Sequence, residues 1–333
     1  MRGTSRPPPY IPGVPSLVFR APGPHGRRKA SIQGQKTLKT PTLGVRSAVT
    51  VTLTASAVLA GGLFAGQAYA APVDPTVTAL GGFIMNDGTG TTVYGKAADT
   101  RRSTGSTTKI MTAKVVLAQK GLNLDAKVTV DKAYSDYIVA KNASSARLIV
   151  GDKVTVRQLL YGLMLPSGCD AAYALADKFG TGSTRAARVK SFIGKMNAEA
   201  KNLGMKNTHF DSFDGISNGQ NYSTPRDLTK LASSAMKNTT FRTVVGTKTT
   251  TQKVTTKSGG YRYMSWTNTN RLLSEYSGTI GVKTGSGPQA KYCLVFAATR
   301  NGRTLIGTVL ASSSEANRTA DVKKLLDHNF KKK

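Results

Sequence analysis

Apolar positions follow two rhythms along this chain, a short one near the ends and a longer one between them. Short apolar runs at 79–85 and 92–94, parted by Asp87-Gly88-Thr89-Gly90, read as a hairpin. The spacing then lengthens. Ile110, Met111, Val115, Val116 and Leu117 predict a helix over 106–119, stopped near Gly121. Thr155, with Gln158 three residues later, forms a capping box ahead of Leu159, Leu160, Leu163 and Met164. Pro166 breaks that helix, and a new one is predicted over 170–178. Residues 184–203 and 225–237 carry two more amphipathic helices. Short runs return at 279–284, 292–299 and 304–311, the last pair joined through the hairpin turn Asn301-Gly302. A final helix over 316–330 sets Val322, Leu325, Leu326 and Phe330 on one face. Strands at both ends with helices between predict an α/β (α+β) protein: a sheet closed by the two termini, plus a helical lobe. No internal repeat and no linker to a second domain is visible.

The beginning of the chain reads differently. Residues 47–65 are uncharged and apolar or small, follow Arg46, and lead into Ala68-Tyr69-Ala70 and then Ala71-Pro72. That is the layout of a secretory signal peptide. Its Ser, Thr and Gly content and the cleavage signature weigh against a membrane anchor. The expectation is a leader over 1–70 and one domain over 71–333, secreted or extracytoplasmic and associated with the cell wall. The stretch before Arg46 is longer and richer in Pro and Gly than an ordinary leader start, which points to translation beginning at Val45.

Charge narrows the partners. The 333 residues carry 47 bases against 17 acids, a formal +30. Nine of the bases and none of the acids fall in residues 1–70, so the domain itself keeps 38 bases against 17 acids. Such a body favours anionic surroundings, among them cell-wall polymers, acidic peptides and nucleic acid. No helix-turn-helix, zinc-finger or RNP signature accompanies the charge and the lysines are dispersed, so nucleic acid is not the expected partner. Cys169 and Cys293 make no disulfide framework, and Cys293 lies in an apolar run, as a core residue would.

Three short motifs carry the chemistry. Ser106-Thr107-Thr108-Lys109 is an S-x-x-K sequence at the predicted start of a helix, where the spacing puts both side chains on one face. The helix N-terminus would favour negative charge developing on the serine oxygen. A lysine can take the serine's proton only when neutral, which asks for a displacement of about 4–5 kcal/mol from its ordinary pKa. A second S-x-x-K, Ser234-Ala235-Met236-Lys237, lies deep inside a helix and reads as a solvated face. Ser167-Gly168-Cys169 sits in the break between two helices, where a hydroxyl can relay protons in a cleft or simply cap the helix that follows. Lys283-Thr284-Gly285-Ser286 ends a predicted strand. There the lysine supplies fixed positive charge, the threonine can bind a carboxylate, and the glycine lets a substrate backbone approach. Lys257-Ser258-Gly259 reads as a turn. Histidine chemistry lacks material: beyond residue 70 only His209 and His328 occur, with no H-E-x-x-H.

Taken in order, these motifs resemble those of penicillin-binding proteins and class A β-lactamases. The stretches STTKIMTA, LLYGLMLPSGCDAAYALAD, NTHF, STPRDLTKLA and GVKTG resemble the low-molecular-mass serine D-Ala-D-Ala carboxypeptidases, over nearly all of 75–330. The cysteine of the second motif is similar to that of the small actinomycete DD-transpeptidases. The resemblance implies a β-lactamase/transpeptidase-like fold, with an antiparallel sheet flanked by helices, an all-helical lobe, and the active site between them. It implies cleavage of the terminal D-Ala of peptidoglycan stem peptides through an acyl-enzyme on Ser106, with β-lactams as covalent inhibitors and no cofactor or metal. Lys109 would be the proton acceptor and Ser167 the relay. Lys283, Thr284, Ser286 and Cys169 would line the substrate, with the backbone N–H groups of Ser106 and Ser286 as oxyanion hole and Arg318 near the terminal carboxylate.

Cys169 departs from the asparagine usual in relatives. A thiol replaces poorly an amide that bonds both lysine and substrate, which implies weak turnover of simple D-Ala-D-Ala peptides and partial sensitivity to thiol reagents. Two other readings stand beside this one. A class A β-lactamase needs a glutamate in E-x-x-x-N, and none of Glu199, Glu275 and Glu315 begins that motif. A non-catalytic wall-binding or penicillin-sensing protein would not need Ser106, Lys109 and Lys283 intact.

Overall fold

The computed structural model describes residues 73–331; the leader and start-codon expectations lie outside them. The chain opens with β1 (Gly81–Asn86) and β2 (Thr92–Lys96), the predicted hairpin. A 3₁₀ turn, Gly105–Thr108, runs into α1 (Lys109–Leu117). Then come β3 (Lys127–Thr129), α2 (Lys132–Lys141), β4 (Lys153–Thr155), α3 (Val156–Met164), α4 (Cys169–Phe179) and α5 (Arg185–Asn202). After α6 (Pro225–Met236) and α7 (Thr239–Gly246) follow β5 (Thr249–Thr255), β6 (Tyr261–Thr267) and the short α8 (Leu272–Glu275). The chain closes with β7 (Thr279–Gly287), β8 (Lys291–Arg300), β9 (Arg303–Ser312) and α9 (Glu315–Lys331).

The main sheet is antiparallel in the order β2-β1-β9-β8-β7, so the N-terminal hairpin closes against the last strand as expected. Its middle strands are covered on both faces, which explains their unbroken apolar runs. Along β8, Leu294, Phe296 and Ala298 join a core with Val322, Leu325 and Leu326 of α9, while Cys293, Val295 and Ala297 join the helical lobe. Asn301 and Gly302 adopt φ of 49° and 73°, the left-handed pair that a type I′ turn requires. At the centre of the lobe lies α1, with Ile110, Met111, Ala113 and Val116 buried on all sides. Thr155 and Gln158 form the predicted capping box, and Thr224 caps α6 through the Asp227 N–H. Asp227 also takes hydrogen bonds from the Asn207 N–H and the Thr208 hydroxyl, which ties the N-T-H-F turn to that helix.

A second antiparallel sheet, β3-β4-β5-β6, was not foreseen. Two of its strands are three residues long, too short for a period-two pattern to register. Lys257-Ser258-Gly259 forms the turn between β5 and β6, as expected. No helix of the described residues is long and apolar enough to cross a membrane.

Candidate active site

The α-helix begins at Lys109, three residues later than predicted, and Ser106 sits in the 3₁₀ turn that leads into it, directly after Gly105 at φ 49°. The threonines around it hold that turn. The Thr107 hydroxyl donates to the Thr104 carbonyl (2.8 Å), and Thr104 and Thr108 share a 2.8 Å hydroxyl bond. The Asn221 amide donates to both of those hydroxyls, at 2.7 and 2.9 Å. All four of these polar side chains are buried. Asn221 carried no recognisable signal, since its partners lie more than a hundred residues away.

Lys109 Nζ, in a side chain 0% exposed, lies within hydrogen-bonding distance of three atoms: Ser106 Oγ at 2.9 Å, the Asp214 carbonyl oxygen at 2.9 Å, and Cys169 Sγ at 3.3 Å. Among the described residues it forms no ion pair. The serine is therefore bonded to an amine and to no carboxylate or imidazole.

The Asp214 carbonyl is held in turn. The Tyr137 hydroxyl donates to Asp214 Oδ2 (2.8 Å), the Ile216 N–H to Oδ1 (2.9 Å), and the Thr112 hydroxyl to the neighbouring Phe213 carbonyl. Burial, with the Asp214 charge beside it, pushes the Tyr137 phenol far above its ordinary range, so it remains a donor. Gly215, at φ 96°, lies so close to the Gly105 carbonyl that a Cβ would collide with it.

Ser167 and Cys169 come from the corner before α4. Ser167 has φ 66°, and its hydroxyl is buried with no partner among the described residues. The capping alternative for it fails, since that helix has no side-chain cap. Asp170 fixes the corner, accepting from the N–H groups of Ala146 (2.8 Å), Leu148 (3.1 Å) and Ala171 (2.9 Å) and from the Ser145 hydroxyl (2.7 Å). Ser144 is thereby brought to the cleft, where its hydroxyl bonds the Ser167 carbonyl at 2.6 Å and lies 3.5 Å from Cys169 Sγ. Burial raises the Cys169 thiol above its ordinary pKa, and the nearby Lys109 charge offsets only part of this. Both cysteines are free, and Cys293 is core, its thiol pushed by burial up to about 11.

Lys283-Thr284-Gly285-Ser286 occupies the last part of β7, which runs one residue further, to Gly287. The glycine answers to the protein's own packing: a Cβ on Gly285 would stand 2.7 Å from the Thr104 carbonyl and 3.0 Å from Thr107 Cγ2, against the turn that carries Ser106. The Lys283 side chain is 1% exposed and reaches, among the described residues, the carbonyl and hydroxyl of Thr284 (3.1 and 3.4 Å). Burial first, and the Lys109 charge second, pull its pKa well below the lysine range.

Ser106, Ser167, Cys169, Thr284, Ser286 and Arg318 all line one cleft of about 610 Å³, with Lys109 and Lys283 beneath its surface. Arg318 bonds Glu315 at 3.1 Å through one guanidinium nitrogen, while its Nε is buried without a partner among the described residues. Glu315 is the glutamate of the cleft; Glu199 and Glu275 are ion-paired elsewhere, to Lys114 and Lys323. No group of three His, Cys, Asp or Glu among the described residues could hold a metal ion.

A family profile described as D-alanyl-D-alanine carboxypeptidase matches residues 68–314. The chain is 70% identical over 287 residues to the D-alanyl-D-alanine carboxypeptidase of Streptomyces sp. (strain K15), covering 86% of this chain and 99% of that one. The crystal structure of the Streptomyces K15 DD-transpeptidase superposes with a TM-score of 0.77 at 76% identity, over 78% of this chain and 99% of that chain. The D-alanyl-D-alanine carboxypeptidase DacF of Bacillus subtilis (strain 168) is 33% identical over 245 residues, 73% of this chain and 59% of that relative.

Proposed function

The chain belongs to the D-alanyl-D-alanine carboxypeptidase family, and from that premise we propose a division of labour within the cleft of a serine D-Ala-D-Ala carboxypeptidase/DD-transpeptidase. Ser106 attacks the carbonyl between the two D-alanines of a peptidoglycan stem peptide, and Lys109 takes its proton across the 2.9 Å contact. Ser167, whose hydroxyl has no partner among the described residues, relays the proton taken by Lys109 to the departing D-Ala amine, donating its own and regaining that of Lys109. Thr284, Lys283 and the free Nε of Arg318 hold the terminal carboxylate. The backbone N–H groups of Ser106 and Ser286 receive the oxyanion, where one donor typically contributes ~10²–10³ in rate. Water or an amine then takes the acyl group, which gives hydrolysis or transpeptidation.

The single observation that carries this reading is a serine whose side-chain partner, among the described residues, is a buried lysine with no carboxylate on it. Benzylpenicillin should leave a stable adduct on Ser106, seen by mass spectrometry of the protein and its peptides. The cleft glutamate is bound to Arg318, so no free carboxylate stands ready to activate a hydrolytic water, and nitrocefin should be trapped rather than turned over. Turnover of a diacyl-Lys-D-Ala-D-Ala tripeptide separates an enzyme from a sensor. The same reading places residues 71–333 outside the cytoplasm, delivered by a leader over 1–70 that is removed after Ala70; N-terminal sequencing of the exported protein tests this.

A further inference from the structure

The second sheet carries a surface that the chemistry of the cleft does not use. Three of its strands contain the same tripeptide: Lys127-Val128-Thr129, Lys153-Val154-Thr155 and Lys253-Val254-Thr255. Register places all three copies in phase. Lys127 lies opposite Thr155, Lys153 opposite both Thr129 and Thr255, and Lys253 opposite Tyr263. The valines face inward, where Val154 and Val254 are buried with Met264 and Trp266. The lysines face outward and are exposed, beside Tyr261 and Tyr263 at 61% and 64% exposure.

Nothing in the fold requires this outer face. Its lysines stand diagonally to one another on adjacent strands, about 7–8 Å apart, an arrangement that repels. None of the four strands contains an aspartate or glutamate, and among the described residues none of the three lysines has an ion pair. Lys253 instead lies 4.0 Å from the Tyr261 ring centroid. Strand spacing of about 4.8 Å spreads the charges over a distance on the order of 10 Å, the span of a short stretch of polymer rather than of one small ion. The two tyrosine rings meet at 76° with centroids 5.8 Å apart. Such a corner offers one flat apolar face and two hydroxyls to a sugar ring, but no parallel platforms for a run of stacked bases.

We propose that the outer face of β3-β4-β5-β6 binds a linear anionic glycan of the cell wall, with Lys127, Lys153 and Lys253 on its charges and Tyr261 and Tyr263 against its rings. The wall as source rests on the function proposed above; the binding itself does not. The inner face of the same sheet supports the cleft, since the Trp266 indole donates to the Ala146 carbonyl at 2.8 Å.

The test uses the full chain and titration calorimetry at low ionic strength with four probes: polygalacturonate, polyphosphate, dextran and single-stranded poly-dT. Polygalacturonate should bind, more weakly as salt rises, and dextran should not. Replacing Lys127, Lys153 and Lys253 together by Gln should weaken polygalacturonate by about tenfold or more, while the same change at Lys120, Lys190 and Lys206 should stay within about twofold. Replacing Tyr261 and Tyr263 by Ala should weaken polygalacturonate by roughly tenfold and leave polyphosphate within about twofold. All variants should acylate Ser106 with benzylpenicillin at the parental rate, which separates this surface from the cleft. Equal losses from the two lysine triples, equal losses of both polyanions in the tyrosine variant, or poly-dT binding as tight as polygalacturonate would each overturn the proposal.

Discussion

The hydroxyl of Tyr137 donates a 2.8 Å hydrogen bond to the carboxylate of Asp214, whose main-chain carbonyl takes one hydrogen of Lys109. A phenol on α2 thus helps set where the Lys109 amine, the proposed proton acceptor, stands. Tyr137→Phe removes one donor from a carboxylate that is 0% exposed, a stability loss of about 1–3 kcal/mol. Acylation by benzylpenicillin should slow roughly tenfold, about 1.4 kcal/mol in barrier. Stopped-flow acylation across pH checks it. A lysine that has merely lost its position shows a displaced pH profile, whereas simple destabilisation lowers the melting temperature and leaves the profile in place.

Lys283 should take up a proton when a carboxylate ligand binds. Its pKa in the free protein is depressed by burial and by Lys109, and an anion placed against it raises that pKa again. Affinity for a carboxylate ligand should therefore fall as pH rises through the depressed pKa. The sign for folding is the opposite. The unfolded chain holds this proton up to about pH 10.4, so the lysine's contribution to stability rises with pH between the two values. Calorimetry on Ser106→Ala with benzylpenicillin, in buffers of different ionisation enthalpy, measures the uptake, and Lys283→Gln should abolish it.

Cys169 should react slowly with iodoacetamide at neutral pH and still be gaining speed at pH 9, because its thiol is raised by burial and is 1% exposed. The expected sensitivity to thiol reagents is thereby confined to small reagents and alkaline solution. Prior acylation of Ser106 should protect it, since both line the same cleft. Peptide mapping of the alkylated cysteine gives the rates. Cys169→Asn should raise turnover of simple D-Ala-D-Ala peptides.

Gly285→Ala should damage both fold and reaction. The new methyl meets the Thr104 carbonyl at 2.7 Å, and relieving it costs about 1–3 kcal/mol. The atoms that yield belong to the nucleophile turn, so penicillin labelling should slow by more than the fall in melting temperature explains. Normal labelling in a protein of parental stability would refute the packing role.

The legible part of this molecule was its local part. Ser106 and Lys109 lie three residues apart, Pro166 marks the corner behind Ser167, and Asn301-Gly302 announces its own turn; each needs only neighbouring residues to be read. Over longer separations the closure of the sheet by the two ends was legible, but individual side-chain partnerships were not. Asn221 reaches Thr104 across 117 residues, and Tyr137 reaches Asp214 across 77. The helix α2 was missed because Tyr134 is its one buried residue, too few to draw an apolar stripe. Gly285 was read as an opening for substrate because the sequence does not show which backbone already fills that space.

The aspartate that follows Cys169 deserves a last consequence. Its carboxylate gathers four donors from two segments of chain, and Ser167, the proposed relay, and Cys169 lie three and one residues before it. Heating should loosen this knot ahead of the helices around it. The protein would then go blind to penicillin while its far-ultraviolet dichroism still looked native, so that the warmest temperature at which it works lies below the one at which it melts.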